Sequence, residues 1–595
     1  MATIFEQTAE GIIYKCPDQW PLPDLDVLTL LFESELSHAR EYTPVSISCA
    51  NSNHFITKSE ARDCTKRTAH TLRHKYGIGE SGPGKDVVCS VTTGHHLLSI
   101  AFYGVIAAGG VYSAASPAGS PSDVAKQMRD GDAKLLICND DTRPLALAAA
   151  QEVGLPEDRV LVIPTGGEWE LRSAKDKQNV VGLKKMEWQR ITDPGELEDT
   201  TIVLIYSSGT TGSPKGVRIS HRNIVAEAVT SLDPWKAYNK KHRPNFEYRT
   251  IAHLPPSHIS AIQGYLVNPM YIGGTAFWMA RFDFGLFLEY CKKYRITSFF
   301  TAPPIWLGIA RHPLVTDQFA SLEHAVSGGA PMSKELQMAA SRKLGRPGSS
   351  SSSSSSTNRT LISQTWGLTE TTGAITLLPY GETDETGSVS CLTPGHEARI
   401  VADDGTDAAP GTAGEMWVRG PVVSKGYHNN SAADSEAFVQ PGGWFRSGDV
   451  MAWRDGKFYM VDRKKELIKY RTHTVPPAEL EALLLAHPVV ADAAVIGVPL
   501  AHVETDGDGA AADDDVVGEA AGQVPRAYVV AKAPEAWGSD TADEIAQFVA
   551  GQVADYKRLR GGVVFVEKIP RAPSGKILRR ELRALAAAER EQQRR

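Results

Sequence analysis

Thr201-Ile202-Val203-Leu204-Ile205-Tyr206-Ser207-Ser208-Gly209-Thr210-Thr211-Gly212-Ser213-Pro214-Lys215-Gly216 decides how this chain is read. Thr201 to Ile205 is a short apolar run rich in β-branched residues, long enough for one strand buried on both faces. Where it ends, bulky side chains stop. Glycines there let the backbone reach φ > 0 and bring N–H groups close to a ligand, and the Ser and Thr hydroxyls add donors without bulk. Lys215 supplies the charge that phosphate oxygens need. A Walker A loop is excluded, because Pro214 precedes the lysine and Gly216 follows it where G-x-x-x-x-G-K-[ST] is required. The stretch reads as a phosphate cradle at the end of a buried strand.

At 595 residues the chain exceeds what one core organises, so at least two domains are expected. Its 42% hydrophobic and 22% charged residues are ordinary for a soluble globular protein. A net charge of −7 gives no electrostatic reason for nucleic acid or an anionic membrane surface as partner. Near the end of the chain Arg579, Arg580, Arg583, Arg590, Arg594 and Arg595 interleave with Glu581, Glu589 and Glu591, the pattern of a solvated helix face. The 7 cysteines lack C-x-x-C spacing and any metal-ligand cluster, which fits a reducing compartment. Met1 to Trp20 lacks the pattern of a secretion signal, Gln593-Arg594-Arg595 is not a peroxisomal tripeptide, and a cytoplasmic location is expected. The longest apolar segment, Leu97 to Val111, is shorter than the ~20 residues of a membrane span and reads as a core helix running into a strand.

From Lys85 to Pro164 short apolar runs (Val87-Val88-Cys89, Lys134 to Cys138, Val160 to Ile163) alternate with helical patterns, the rhythm of βαβ units and a parallel sheet covered on both faces. Ligands of such sheets sit beyond the carboxyl ends of strands, where the phosphate cradle lies. Arg218 to Ala228 reads as the helix after that cradle. His258 occupies an apolar, proline-rich strand exit, Leu254-Pro255-Pro256-Ser257-His258-Ile259; alone, a histidine there is more often a satisfied core residue. Ser327-Gly328-Gly329-Ala330-Pro331 is a small-residue turn on which a flat ring could lie. Ser349 to Ser356 is low-complexity and cannot bury apolar surface. Trp366-Gly367-Leu368-Thr369-Glu370 then sets a hydroxyl beside a carboxylate, a pair suited to a phosphate oxygen and to Mg²⁺.

Gly395 to Arg454 is rich in strands and turns, suggesting a small β-barrel or antiparallel sheet. It closes on Trp444-Phe445-Arg446-Ser447-Gly448-Asp449, where an acidic side chain at a turn could accept from two ribose hydroxyls. Asp462-Arg463-Lys464-Lys465-Glu466 is a charged crossing between apolar strands and reads as a domain boundary. Beyond it a helix at Pro477 to Leu484 and strands at Ala493 to Ile496 and Tyr528 to Val530 imply a small α+β domain. His502 to Ala521, with five aspartates among Gly and Ala, reads as a disordered loop. Pro573-Ser574-Gly575-Lys576-Ile577 is a glycine turn presenting one lysine.

Together, in this order and over nearly the whole chain, these motifs resemble the 4-coumarate:CoA ligase and acyl-CoA synthetase branch of the adenylate-forming enzymes. The fold so implied is α/β: a large N-terminal AMP-binding domain (1–461) of doubly wound subdomains with a small β-barrel, a hinge (462–467), and a small mobile α+β lid (468–595). The activity implied is ATP-dependent ligation of an aryl or medium-chain carboxylic acid to coenzyme A through an acyl-adenylate, with ATP and Mg²⁺. Residue by residue, Ser207, Ser208, Gly209, Thr210, Thr211, Gly212 and Lys215 match the loop that holds the β- and γ-phosphates. Gly329, Ala330 and Pro331 match the adenine shelf, and Trp366 the usual aromatic position. Thr369 and Glu370 match the α-phosphate and Mg²⁺ ligands, Asp449 and Arg463 the ribose contacts, and His258 the histidine at the mouth of the acyl pocket. Lys465 matches the hinge. Lys576 matches the lysine of the adenylation step, and Lys469 lies in the segment that replaces it for thiol transfer when the lid rotates. Ile259, Ala261, Ile305 and Thr365 are the implied pocket side chains.

One stretch departs from the family pattern. Coenzyme A ligases of this family typically read Lys-Gly-aromatic-Gln where this chain has Arg471-Thr472-His473-Thr474, and a Cβ at Thr472 takes up space in the pantetheine tunnel. Adenylation is therefore better supported than thioester formation. An alternative is an adenylating enzyme that passes its acyl group to the phosphopantetheine of a carrier protein in trans. A nucleotide or acyl binder without turnover is disfavoured, because a binder has no use for both Lys215 and Lys576.

Overall fold

The computed structural model describes residues 2–207, 214–344, 360–440, 442–470, 473–499, 522–533, 537–572 and 575–594. Its backbone clusters into two compact units: 1–328 with 338–399 and 417–447, and 329–337 with 400–416 and 448–595.

The first unit is built on the parallel sheet expected from the apolar runs. Its seven strands lie in the order Lys215–Ser220, Thr201–Ser207, Val111–Ala115, Val87–Val91, Ala133–Asn139, Val160–Ile163, Arg172–Ser173. The five strands from Thr201–Ser207 to Val160–Ile163 pair in parallel, and the two edge strands are antiparallel. All five residues of Val87–Val91 and of Val111–Ala115 are buried, which is why these strands read as continuous apolar runs rather than alternations. The crossover helix Leu98–Ala107 is buried on every side, so its sequence carries no polar face.

One expectation fails beside the cradle. Arg218 to Ser220 are not helical but belong to the edge strand Lys215–Ser220, which folds back against Thr201–Ser207. The helix starts at His221, where the Ser220 side chain accepts from Asn223 N and the Asn223 side chain reaches back to the Ser220 backbone. That reciprocal cap makes Ser220 the last non-helical residue.

A second parallel group joins Arg249–Ala252, Thr275–Trp278 and Pro44–Ser48, with Phe55–Thr57 added antiparallel. A third joins Ser298–Thr301, His324–Ser327 and Ile362–Gln364 in parallel. The turn-rich region is antiparallel where its pairings are defined: Phe438–Val439 with Trp444–Phe445 in the first unit, and Asp449 to Arg454 with Lys457 to Arg463 in the second. The start of the chain belongs to this architecture too, since Tyr14 and Lys15 pair with Ala398 and Glu397.

The second unit contains a three-stranded sheet, Val490–Pro499 antiparallel to Gln523–Ala531, with Val563–Phe565 parallel to the latter. The helices Pro477–Ala486, Ser539–Ala550 and Arg579–Arg594 accompany it. Leu480, Leu484, Val495, Tyr528, Ile545 and Leu582 form its core. The arginines of the last helix are not simply solvated: Arg579 pairs with Glu481 at 2.6 Å and Arg583 with Glu466 at 2.8 Å. All seven cysteines are free. No helix among the described residues is long and apolar enough to cross a membrane. The poly-Ser run, His502 to Ala521 and Pro573-Ser574 lie outside the described residues.

Candidate active site

In the first unit Ser207 is the last residue of its strand, at the carboxyl end of the parallel sheet. Its Oγ donates to Glu370 Oε1 at 3.0 Å although the two are 163 residues apart. Glu370 is carried by the short 3₁₀ turn Thr369–Thr371, which ends at Thr372 with φ +58. Tyr427 donates from its hydroxyl to the same Oε1 at 3.1 Å, and the Lys215 ammonium lies 5.1 Å from the centre of the Tyr427 ring. Ser207, Lys215 and Glu370 are therefore brought together, and Tyr427 joins them. Glu370 is 9% exposed, and its two side-chain hydrogen bonds among the described residues fall on one oxygen. Thr369 is half-buried beside it. Ser208, Gly209, Thr210, Thr211 and Gly212 lie outside the described residues.

Trp366 is buried, and its N–H donates to Thr376 Oγ1 at 2.8 Å. His258 is half-buried, and burial holds its imidazole below the usual histidine range. Ile259 and Ala261 are buried on the helical segment that continues through the π-helical turn Ile262–Val267. Within that turn Gly264 lies against Phe300, because a Cβ there would stand 2.3 Å from the ring. Phe300 also stacks on Tyr265 at 5.1 Å. Ile305 is half-buried at the start of the next helix. Thr365 turns its hydroxyl to the Thr376 carbonyl and its methyl toward Gly328.

In the second unit Asp449 and Arg463 face each other across an antiparallel pair, with Nε to Oδ1 at 3.4 Å. Asp449 sits inside the strand Trp444–Arg454 rather than at a turn; the local bend is at Gly448, φ +70. Lys576 lies close enough to feel both: burial and the neighbouring Arg463 pull its ammonium down to about 8, against the opposing pull of Asp449 and Glu466. Arg571 holds the turn that presents it, donating to the Gly575 carbonyl at 2.9 Å and pairing with Asp492 at 2.8 Å. Gly329 has φ +80, and with Ala330 and Pro331 it forms a partly exposed turn. Lys465 is exposed. Lys469 is 59% exposed and stands 4.0 Å from Asp403. His473 stacks on Tyr556 at 4.3 Å; Arg471 and Thr472 lie outside the described residues.

The AMP-binding enzyme model matches residues 36–428, and the AMP-binding enzyme C-terminal domain matches 511–576. The chain belongs to the AMP-binding enzymes. A putative acyl-coenzyme A synthetase of Emericella nidulans is 44% identical over 95% of this chain and 96% of its own. The 4-coumarate–CoA ligase 3 of Oryza sativa subsp. japonica is 30% identical over 95% and 94%. Among solved structures, the anthranilate CoA ligase AuaEII in complex with anthranoyl-AMP superposes with a TM-score of 0.75 at 21% identity, over 96% of this chain and 99% of that one. The likeness at that identity shows the fold, a large α/β N-terminal domain followed by a small C-terminal one.

Within this AMP-binding enzyme three positions escaped the sequence reading. Tyr427 follows Gly426 in a segment without periodicity, and nothing in spacing ties it to Glu370. Glu227 is a buried carboxyl on the helix His221–His242 whose Oε1 accepts from Ala374 N at 3.2 Å, bracing the turn that carries Glu370. Arg571 lies two residues before the Pro573-to-Ile577 turn, and nothing in its spacing ties it to Asp492. Only an acid inside an apolar helix face, Glu227 among Ile224, Val225 and Val229, was a signal that the sequence offered.

Proposed function

We propose that this chain is an ATP-dependent carboxylic acid:CoA ligase, which adenylates an aryl or medium-chain acid with release of pyrophosphate and then transfers the acyl group to coenzyme A. The observation that carries it is the meeting of Ser207, Glu370 and Lys215 at the end of a parallel strand. Carboxylates are poor electrophiles, so attack on the α-phosphate of ATP, with pyrophosphate leaving, creates the reactive acyl-adenylate. Two anions must approach each other, and cations positioned beforehand lower that barrier. On this reading Lys215 meets the β- and γ-phosphates and Lys576 the α-phosphate, as compact point charges. Asp449 and Arg463 hold the ribose. Thr369 donates to the α-phosphate.

Mg²⁺ fits the donors present. Glu370 offers a hard carboxylate oxygen that accepts no hydrogen bond from the described residues, and Mg²⁺ prefers one or two carboxylates with phosphate oxygens. When bound there it would neutralise phosphate charge. The absence of any group of three or more His, Cys, Asp or Glu side chains able to hold a metal among the described residues accords with a site completed by the nucleotide.

The aryl preference draws support from relatives such as the 4-coumarate–CoA ligase 3 of Oryza sativa subsp. japonica, 30% identical over 95% of this chain. A second reading, transfer to a carrier-protein phosphopantetheine, is favoured by Arg471-Thr472-His473-Thr474. Pyrophosphate release from a panel of aryl and alkanoic acids, with and without coenzyme A, tests both. Acyl-CoA formation supports the first reading, acyl-AMP that accumulates regardless of coenzyme A supports the second, and no pyrophosphate with any acid defeats both.

A further inference from the structure

We propose that Tyr427 is a positioning residue that keeps the Lys215 ammonium and the Glu370 carboxylate from neutralising each other, so that each remains available to the nucleotide. This rests on the reading of Lys215 as a phosphate group and Glu370 as a Mg²⁺ ligand.

Its backbone is fixed from two sides. The Tyr427 N–H donates to Asp434 Oδ1 at 2.6 Å, and the preceding Gly426, φ +107, passes so close to that carboxylate that a Cβ would lie 2.5 Å from it. On the other side Tyr427 bridges Val217, the His428 N–H donates to the Gly216 carbonyl at 2.7 Å and the Arg218 N–H to the Gly426 carbonyl at 3.0 Å. The segment is thereby stitched to the strand that begins with Lys215.

The ring, 7% exposed, stands at both charges. Its hydroxyl occupies Oε1 of Glu370 at 3.1 Å, and its face holds Lys215 at 5.1 Å. No ion pair joins Lys215 to Glu370 among the described residues, although both touch the same side chain. A cation held by an aromatic face keeps its full charge, whereas one paired with a carboxylate must break that pair before it meets a phosphate.

The decisive comparison is metal-free binding of ATP by calorimetry, in the full-length protein with EDTA, followed by Mg²⁺ titration. Tyr427→Phe keeps the ring face and should bind metal-free ATP within about twofold of wild type. Tyr427→Leu lets Lys215 fall onto Glu370 and should bind about tenfold more weakly. Tyr427→Leu with Glu370→Gln removes the carboxylate and should recover most of that loss. Tyr427→Met, unbranched and more adaptable in packing but also without a ring face, gives the same comparison if leucine unfolds the segment. A double variant no tighter than Tyr427→Leu alone overturns the proposal, as does a Tyr427→Leu affinity equal to wild type. The underlying reading is judged separately: a Mg²⁺ titration of the Glu370→Gln single variant that superimposes on wild type removes Glu370 from the metal site while leaving the metal-free result to stand or fall by itself.

Discussion

Arg571 grips Asp492 with two nitrogens, Nη2 at 2.8 Å and Nε at 3.3 Å, while its third nitrogen holds the carbonyl of Gly575, one residue before Lys576. The turn itself is tied by Ala572 N to the Lys576 carbonyl at 2.8 Å and by Leu578 N to the Pro570 carbonyl at 2.9 Å. A planar guanidinium satisfies carboxylate and carbonyl together, which a lysine cannot. Arg571→Lys should slow adenylation by roughly tenfold, since small misplacement of a catalytic group is costly, and should leave transfer from supplied acyl-adenylate unchanged. An equal loss in both half-reactions would reduce Arg571 to a purely structural role.

Lys576→Ala should lower pyrophosphate release by about 10²–10³ and still permit thioester formation from supplied acyl-adenylate. Lys469→Ala should do the opposite, sparing adenylation and slowing thiol transfer. Single-turnover assays of each half-reaction check the pair; a Lys576→Ala enzyme within threefold of wild type in pyrophosphate release refutes the assignment.

The rate of adenylation should fall as pH rises through about 8, because burial and Arg463 bring the Lys576 ammonium to that range and only the protonated form neutralises phosphate. Asp449, Glu466 and Arg579 also face this group. Lys576→Arg should push the alkaline limb beyond pH 10 at reduced rate. A pH–rate profile of the first half-reaction whose limb stays in place in that variant contradicts the prediction.

Burial raises the Glu227 carboxyl to about 8, so the folded state holds a proton that the unfolded chain releases near the ordinary carboxylate value of about 4.3. Stability from this group is full below that value and is lost as pH climbs toward 8. Glu227→Gln keeps a neutral acceptor for Ala374 N and should flatten this dependence. Thermal midpoints between pH 5 and 9 should show wild type dropping more steeply than the variant; parallel curves would show that Glu227 is ionised in the fold.

Thr472→Gly tests the departure from the family's thiol-transfer segment. With a tunnel already adapted to threonine, the substitution should change little or cost something through added backbone freedom. A tenfold or larger gain confined to thiol transfer would instead favour the carrier-protein reading.

Strands buried on both faces announced themselves in Val87–Val91 and Thr201–Ser207, because a parallel sheet covered by helices demands unbroken apolar runs. Membership of the AMP-binding enzymes was legible for a related reason, because the small-residue stretch from Ser207 to Lys215, the Thr369-Glu370 pair and Lys576 are restricted in residue type at short range. The edge strand at Lys215–Ser220 was misread as helix because a polar, mixed sequence next to a turn carries no period, and what decides it is pairing with Thr201–Ser207. Tyr427 beside Glu370, Glu227 behind Ala374 and Arg571 on Asp492 were decided only by the tertiary structure. Each joins segments more than fifty residues apart through directional hydrogen bonds, and such bonds leave no pattern along the chain, since hydrogen bonds and charges act through space at a few ångströms whatever the distance in sequence.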